Sequence, residues 1–346
     1  MNTELLLINQ VQGNEHLLQH AAAVLRDGGL VVFPTETVYG LGGLATSDLA
    51  AKAIYEAKGR PSDNPLIIHI ATPEEAEDYA VTNDTYYRLA KQFMPGPLTV
   101  ILPKKDTIPL SVTGGLDSVA VRCPAHPVAS ALIAAVGAPV AAPSANRSGR
   151  PSPTRAEHAV EDLLGRVDVI IDGGECEVGL ESTIVKLDGD KGILLRPGAI
   201  TVDALSCVCE MSVAPAVTEA LAKDERPLSP GMKYRHYAPG ADLILLDGAK
   251  QAVSAHLSSL CTDPEVGILC YDEEIPRLQG QATLFPIGGR DDLATQAKRL
   301  FSALREADTH PELKTLYAHL PPTTGLGLAL YNRCIRAAAH TVKKID

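Results

Sequence analysis

Lys58-Gly59-Arg60-Pro61 places two cations on either side of a single glycine. Two fixed positive charges so close together can hold a polyphosphate, or neutralise charge developing on one. Other polar motifs surround them in sequence: Pro34-Thr35-Glu36-Thr37-Val38-Tyr39-Gly40, Asn64-Pro65-Leu66 and Pro143-Ser144-Ala145-Asn146. Their hydroxyls and amides are suited to orienting a small polar substrate. Most of these motifs border an apolar run, so each falls where an element ends and a side chain can face a cleft.

Each group also has an ordinary structural reading. Lys58 and Arg60 follow a helical stretch, where cations offset the macrodipole. Pro61 and Asn64-Pro65 favour an extended segment that would hold them in place. Ser144 and Asn146 form a Ser-x-Asn pattern common in turns and caps. Arg122 at a strand end and Arg196 before Pro197-Gly198 fit solvated edge charges. His69, inside Leu66-Ile67-Ile68-His69-Ile70, fits a core histidine. Ser182 and Thr183 have no histidine and acid pattern around them, and Gly-x-Ser-x-Gly is absent, which argues against a serine nucleophile. The phosphate loop G-x-x-x-x-G-K-[ST] is also absent, and Gly40-Leu41-Gly42-Gly43 lacks dinucleotide-fold spacing. Any ATP site is therefore built on another scaffold. Cys207 and Cys209 read as two half-buried thiols rather than a metal site.

Mixed α and β elements position these groups. Helical spacing runs over 16–26, 48–57, 74–79, 83–93 and 127–135. Strand patterns run over 30–33, 65–70, 98–102, 118–122, 140–142, 167–171, 182–187 and 192–196. A helical stretch is expected over 201–221. Residues 227–240 carry prolines and glycines with Tyr234, Arg235, His236 and Tyr237, a linker composition unlike a plain tether. Beyond it, strands at 242–246 and 265–270 alternate with helices at 249–260, 291–307 and 327–343, which implies a small α/β domain.

Length and composition agree with that division. A chain of 346 residues favours two domains. Its 45% hydrophobic and 21% charged residues are ordinary for a soluble globular protein. No run reaches a membrane span, no secretory signal is read at the amino end, and seven scattered cysteines fit a reducing compartment. The expectation is a cytoplasmic protein with no membrane association. A net charge of −11 weighs against non-specific nucleic-acid binding but not against a local basic pocket.

Taken in order, the motifs resemble the threonylcarbamoyl-AMP synthase family in its longer two-domain form. The resemblance covers nearly the whole chain. It includes Pro95-Gly96-Pro97-Leu98-Thr99, Arg122-Cys123-Pro124, Ser148-Gly149, Ser182-Thr183-Ile184-Val185 and Arg196-Pro197-Gly198. The linker from Ser229 to Pro239 marks the longer form.

The resemblance implies an α/β fold: a twisted mixed sheet around a concave basic cavity at 1–208, a linker covering the active site at 209–240, and a smaller Rossmann-like α/β domain at 241–346. It implies condensation of L-threonine, bicarbonate or carbon dioxide, and ATP with Mg²⁺, giving threonylcarbamoyl-AMP and pyrophosphate. A downstream threonylcarbamoyl transferase complex then modifies tRNA beside the anticodon, with no stable nucleic-acid binding required of this chain. Lys58 and Arg60 would be catalytic and, with Ser118, Ser144, Asn146, Ser152, Arg196, His236 and Tyr237, would bind ATP. Thr35, His69, Arg122 and Ser182 would bind threonine. No protein side chain is expected to hold the metal. An RNA-binding protein using the same concave face is the competing reading; the acidic charge and scarce aromatic-basic interleaving stand against it.

Overall fold

The computed structural model describes residues 2–219, 229 and 236–346. The chain divides into two compact units, one of Met1–Ser148 and Ser152–Lys233, the other of Gly149–Pro151 and Tyr234–Asp346. Residues 220–228 and 230–235 of the expected linker, Tyr234 and Arg235 among them, lie outside the described residues.

In the first unit the strands are β1 (Glu4–Leu7), β2 (Val31–Phe33), β3 (Gly40–Leu44), β4 (Ile67–His69), β5 (Leu98–Pro103) and β6 (Ser118–Arg122). They continue with β7 (Val140–Ala141), β8 (Val169–Asp172), β9 (Thr183–Asp188), β10 (Lys191–Arg196) and β11 (Glu210–Val213). They form one mixed sheet in the order β1-β8-β2-β3-β7-β4-β6-β5-β9-β10-β11. Helices Glu15–Arg26 and Pro127–Val136 cover it, burying Leu18, Leu25, Leu132 and Val136 against Phe33 and Ile171. Each buried leucine is worth roughly 2 kcal/mol of apolar transfer.

Helix Asp48–Lys58 sets the position of the paired cations. Ser47 caps its start by accepting the Ala50 amide proton at 3.2 Å. Gly59 stops it in the left-handed region at φ 61°, a conformation glycine adopts without strain. The stop leaves Lys58 as the last helical residue and sends Arg60 into the following loop.

The second unit holds a five-stranded parallel sheet of β12 (Asp242–Gly248), β13 (Val266–Cys270), β14 (Thr283–Pro286), β15 (Thr315–His319) and β16 (Val342–Ile345), ordered β14-β13-β15-β12-β16. Helices Lys250–Leu260, Leu293–Ala307 and Gly327–Ala337 connect it.

Two expectations need correction. Among the described residues of the helical stretch expected over 201–221 there is one short helix, Val202–Ser206, followed by β11 pairing with β10 and a 3₁₀ turn at Pro215–Val217. Its alanines suit a helix locally, but a free sheet edge was available to Glu210–Val213. The last helix ends at Ala337 rather than 343, because Val342–Ile345 adds to the edge of β12. Strands β1, β3, β14 and β15, and helix Ala156–Leu163, were not read from the sequence.

Gly198 is where the fold leaves no room. A Cβ there would lie 2.6 Å from the Thr183 amide nitrogen and 2.8 Å from the Glu181 carbonyl oxygen. Gly198→Ala must therefore push β9 away from the Pro197-Gly198 turn. A loss of about 2 kcal/mol is expected, measurable as a lower urea midpoint with an unchanged slope.

Candidate active site

The first unit brings most of the expected polar residues to neighbouring strand ends. β4 and β6 are parallel with His69 opposite Arg122, β5 puts Thr99 opposite Arg122, and β9 runs parallel to β5 with Thr183 opposite Leu98. Four strands distant in sequence thus present His69, Arg122, Thr99 and, just before β9, Ser182 in one row.

Arg122 is the centre of this row. Its Nη2 donates to Glu36 Oε1 at 2.8 Å and approaches Thr35 Oγ1 at 3.5 Å. The other Glu36 oxygen accepts the Ala125 amide proton at 3.2 Å. Arg122 and Glu36 are both buried, with side chains only 5% and 8% exposed, so this is a desolvated ion pair. Thr35 itself is fixed by donating to the Val38 carbonyl at 2.6 Å. Two buried polar atoms here have no protein partner: Arg122 Nε and His69 Nδ1. Buried unpaired donors are costly and are retained where a ligand completes them.

Burial, with Arg122 beside it adding to the effect, pulls the His69 pKa down to about 3. The imidazole is therefore neutral at physiological pH. The edge of its ring meets Phe33, with centroids 6.1 Å apart.

Ser182 continues the row toward β10. Its hydroxyl pairs with Thr99 Oγ1 at 2.7 Å and accepts from Arg196 Nη2 at 3.1 Å, while Arg196 Nε donates to its carbonyl at 3.0 Å. Ser152 reaches the same corner by donating to Glu181 Oε1 at 2.5 Å. Arg196 is buried, as Arg122 is, so the ordinary reading of a solvated edge charge does not hold for either.

The cations form a second group. Lys58 is buried; its Nζ donates to the Ser144 carbonyl at 2.5 Å, to the Asn146 carbonyl, and to Asn146 Oδ1 at 3.4 Å. Ser144 donates to the same Oδ1 at 2.5 Å. Arg60 is held by the Asn64 carbonyl at 3.3 Å and the Pro65 carbonyl at 3.1 Å, so the Asn64-Pro65 segment does anchor it. The Pro-Thr-Glu-Thr and Pro-Ser-Ala-Asn motifs are stitched by backbone bonds from Ala145 N to Tyr39 O and from Leu41 N to Pro143 O.

One expected residue of the first unit lies apart from these groups. Ser118 opens β6 opposite Pro103, roughly 13 Å along the strand from Arg122. His236 and Tyr237 belong to the second unit, where Tyr237 stacks on Phe301 at 5.1 Å and lies under the Arg333 guanidinium at 5.6 Å. Glu36 and Thr99 were given no role from the sequence. The signal for Glu36 was an acid inside a motif of uncharged hydroxyl residues, in a chain with a strand-end arginine to pair. Among the described residues no group of three histidine, cysteine or acidic side chains could hold a metal ion, and no helix is long and apolar enough to cross a membrane.

A family model described as "Telomere recombination" matches residues 23–198, and one described as "Threonylcarbamoyl-AMP synthase, C-terminal domain" matches residues 200–339. Curated threonylcarbamoyl-AMP synthases of Pyrococcus abyssi and Bacillus subtilis are 42% and 43% identical to this chain, each alignment covering 96% of both sequences. The solved structure of P. abyssi Sua5 complexed with L-threonine is similar with a TM-score of 0.89 at 40% identity, covering both chains fully. A variant of that protein with a histidine and a tyrosine changed to alanine has a TM-score of 0.91 at 40% identity, over 99% of this chain and 98% of that one.

The depressed His69 pKa has a consequence for stability. Above the ordinary histidine pKa of 6.5 both folded and unfolded forms are neutral. Between 6.5 and about 3 only the unfolded chain takes the proton, so stability falls with pH by up to about 1.4 kcal/mol per unit. His69→Gln should lack this component. Denaturation of both proteins between pH 7 and 4 checks it: the wild-type stability, relative to the variant, should decline as the solution is acidified.

Proposed function

The chain belongs to the threonylcarbamoyl-AMP synthase family, and on that premise we propose how its own side chains divide the work. It is an ATP-using enzyme that forms threonylcarbamoyl-AMP. The observation that carries the site assignment is the pair of buried, unpartnered donors and acceptors on adjacent strands, Arg122 Nε and His69 Nδ1. A threonine bound there satisfies both.

Threonine places its carboxylate on the Arg122 guanidinium, whose Nη2 is already anchored to Glu36. Neutral His69 takes the threonine hydroxyl, and Thr35 and Ser182 close the pocket around the amine. The L-threonine complex of P. abyssi Sua5 supports a threonine site in this fold. Bicarbonate or carbon dioxide converts the amine to a carbamate. A carbamate oxygen then bonds to the α-phosphorus of ATP, and the bond to the bridging oxygen breaks, so pyrophosphate leaves with the electron pair.

The protein supplies position and charge rather than a covalent partner. Lys58 and Arg60 take the triphosphate, where their carbonyl-held side chains counter the charge on the leaving pyrophosphate. Ser144 and Asn146 extend that turn toward the nucleotide, and Ser152 and Arg196 serve it from the β9–β10 side. Mg²⁺ enters as part of the ATP substrate. Ser118, His236 and Tyr237 are kept as nucleotide contacts on the family resemblance alone. The product passes to a separate transferase that acts on tRNA.

Pyrophosphate release from ATP that requires both threonine and bicarbonate tests this reading; release without either co-substrate overturns it. Arg122→Lys keeps the charge but loses the fork. It should raise the threonine KM about tenfold or more while changing the ATP KM little. Equal effects on both substrates would remove Arg122 from the threonine site.

Glu36→Ala leaves Arg122 buried without its counter-charge, at a cost of about 3–5 kcal/mol. Threonine should restore part of that loss, because its carboxylate replaces the missing one. The rise in Tm on adding threonine should therefore be larger in the variant than in wild type. An equal rise would mean that the ligand carboxylate does not reach Arg122.

A further inference from the structure

The second unit contains a cavity of about 420 Å³ for which the synthase reaction has no use. That volume is in the range of small-molecule sites. Its walls follow the carboxyl ends of parallel strands: Asp247 and Gly248 end β12, Tyr271 follows β13, Arg290 precedes helix Leu293–Ala307, and His319 ends β15. β13 and β15 are neighbours, and the chain leaves β13 toward β14 on one side and β15 toward β16 on the other. Oppositely directed connections open a crevice at such a point, and open parallel sheets bind ligands there.

The crevice also contains an organised set of charges. Buried Glu274 accepts from His319 Nε2 at 2.9 Å, Arg290 Nη2 at 2.8 Å, Ser254 Oγ at 2.9 Å and the Tyr271 amide at 3.1 Å. The His319 ring stacks on Tyr271 at 4.7 Å, and the Arg290 guanidinium sits 4.5 Å from the centre of the same ring. Burial alone would raise the Glu274 pKa, but His319, the Tyr271 amide and Ser254 together hold it down at about 2, so it stays an anion. A buried ion pair seldom adds net stability. What this one does is fix the Arg290 fork through one nitrogen and leave Nε and Nη1 available at the cavity.

A second cation stands beside it. Lys250 lines the cavity, is exposed, and opens helix Lys250–Leu260, whose N-cap Ala249 has no side chain to cap the first amides. Asp247 and Asp291 also face the space. Both signs of charge are therefore present.

We propose that this crevice is a second ligand site, taking a small phosphate ester of about mononucleotide size. The phosphate sits on Arg290, Lys250 and the first-turn amides. Asp247 and Asp291 accept hydrogen bonds from hydroxyls on the esterified group. Inorganic phosphate lacks the hydroxyl-bearing organic group that reaches those carboxylates while the phosphate stays on the cations, so the ester binds better than the free ion. The site is independent of the synthase assignment, since its residues take no part in that chemistry.

The test is an NMR titration of the full chain at fixed pH, reading the His319 imidazole signal, assigned by its loss in His319→Gln. The probes are AMP, ribose 5-phosphate and inorganic phosphate. Either ester should shift the His319 signal saturably, and whichever does so at lower concentration identifies a nucleotide or a sugar phosphate as the source. Lys250→Ala, at an exposed position, should weaken that binding about tenfold, and Arg290→Lys should weaken it while keeping a charge beside Glu274. Lys58→Ala, in the first unit, should leave the His319 titration unchanged, separating this site from the ATP site. A His319 signal unmoved by both esters overturns the proposal. So does a response to inorganic phosphate as strong as to the esters, or one unaffected by both Lys250→Ala and Arg290→Lys.

Discussion

The pairing of Glu36 with Arg122 is the constraint around which the first unit is arranged. An arginine on a central strand, under helices and loops, cannot stay charged and unpaired without a penalty of several kcal/mol. Its partner comes from the loop after β2, so the Pro-Thr-Glu-Thr segment must fold back over the ends of β4 and β6. Thr35 and Thr37 tie that loop to itself, while Val178 and Gly179 donate backbone hydrogen bonds to the Glu36 and Thr37 carbonyls. One ion pair thus recruits the segment before β9, and with it Ser182.

The cations are held in two ways. Arg122 is matched to a carboxylate, which neutralises most of its field and leaves direction as its contribution. Lys58 and Arg60 are gripped by carbonyl oxygens of Ser144, Asn146, Asn64 and Pro65. A carbonyl fixes the direction of an ammonium or guanidinium without itself carrying a counter-charge. Under the proposed division of work, the first arrangement meets a single carboxylate and the second a triphosphate.

Much of this was legible in the sequence, for identifiable reasons. The helix expected over 48–57 showed in its spacing and runs one residue further, to Lys58, where Gly59 adopts a left-handed backbone, so the reach of Lys58 and Arg60 could be read directly. The Asn64-Pro65 stretch was expected to hold the cations as an extended segment; instead a turn closed by Asn64 N on the Pro61 carbonyl brings the Asn64 and Pro65 carbonyls to Arg60. The burial of Arg122 and Arg196 was not legible, because it depends on which strands lie beside β6 and β10, a matter of long-range pairing. β3 was hidden for a related reason: Gly40-Leu41-Gly42-Gly43 has poor strand propensity, yet the structure needs it. A Cβ on Gly42 would come within 2.8 Å of Phe33 and Val140, so glycine is what lets β3 pass between β2 and β7.

The edges of both sheets show the same limit. Glu210–Val213 and Val342–Ile345 carry little intrinsic signal, and each becomes a strand by adding to an edge that the rest of the sheet already presents. Local propensity decides an element's type when the segment is long and periodic. A short segment instead takes the state that satisfies the most backbone hydrogen bonds, and an open strand edge offers a full row of them. β16 in this way covers one side of β12, the strand whose far end opens into the charged crevice. Its pairing runs from Leu245↔Val342 to Gly248↔Ile345, and a Cβ on Gly248 would lie only 2.3 Å from the Ile345 carbonyl oxygen. The last strand of the chain and the glycine at the mouth of the crevice are thereby coupled: Asp247 and Lys250 flank a position that only glycine can fill while β16 remains in place.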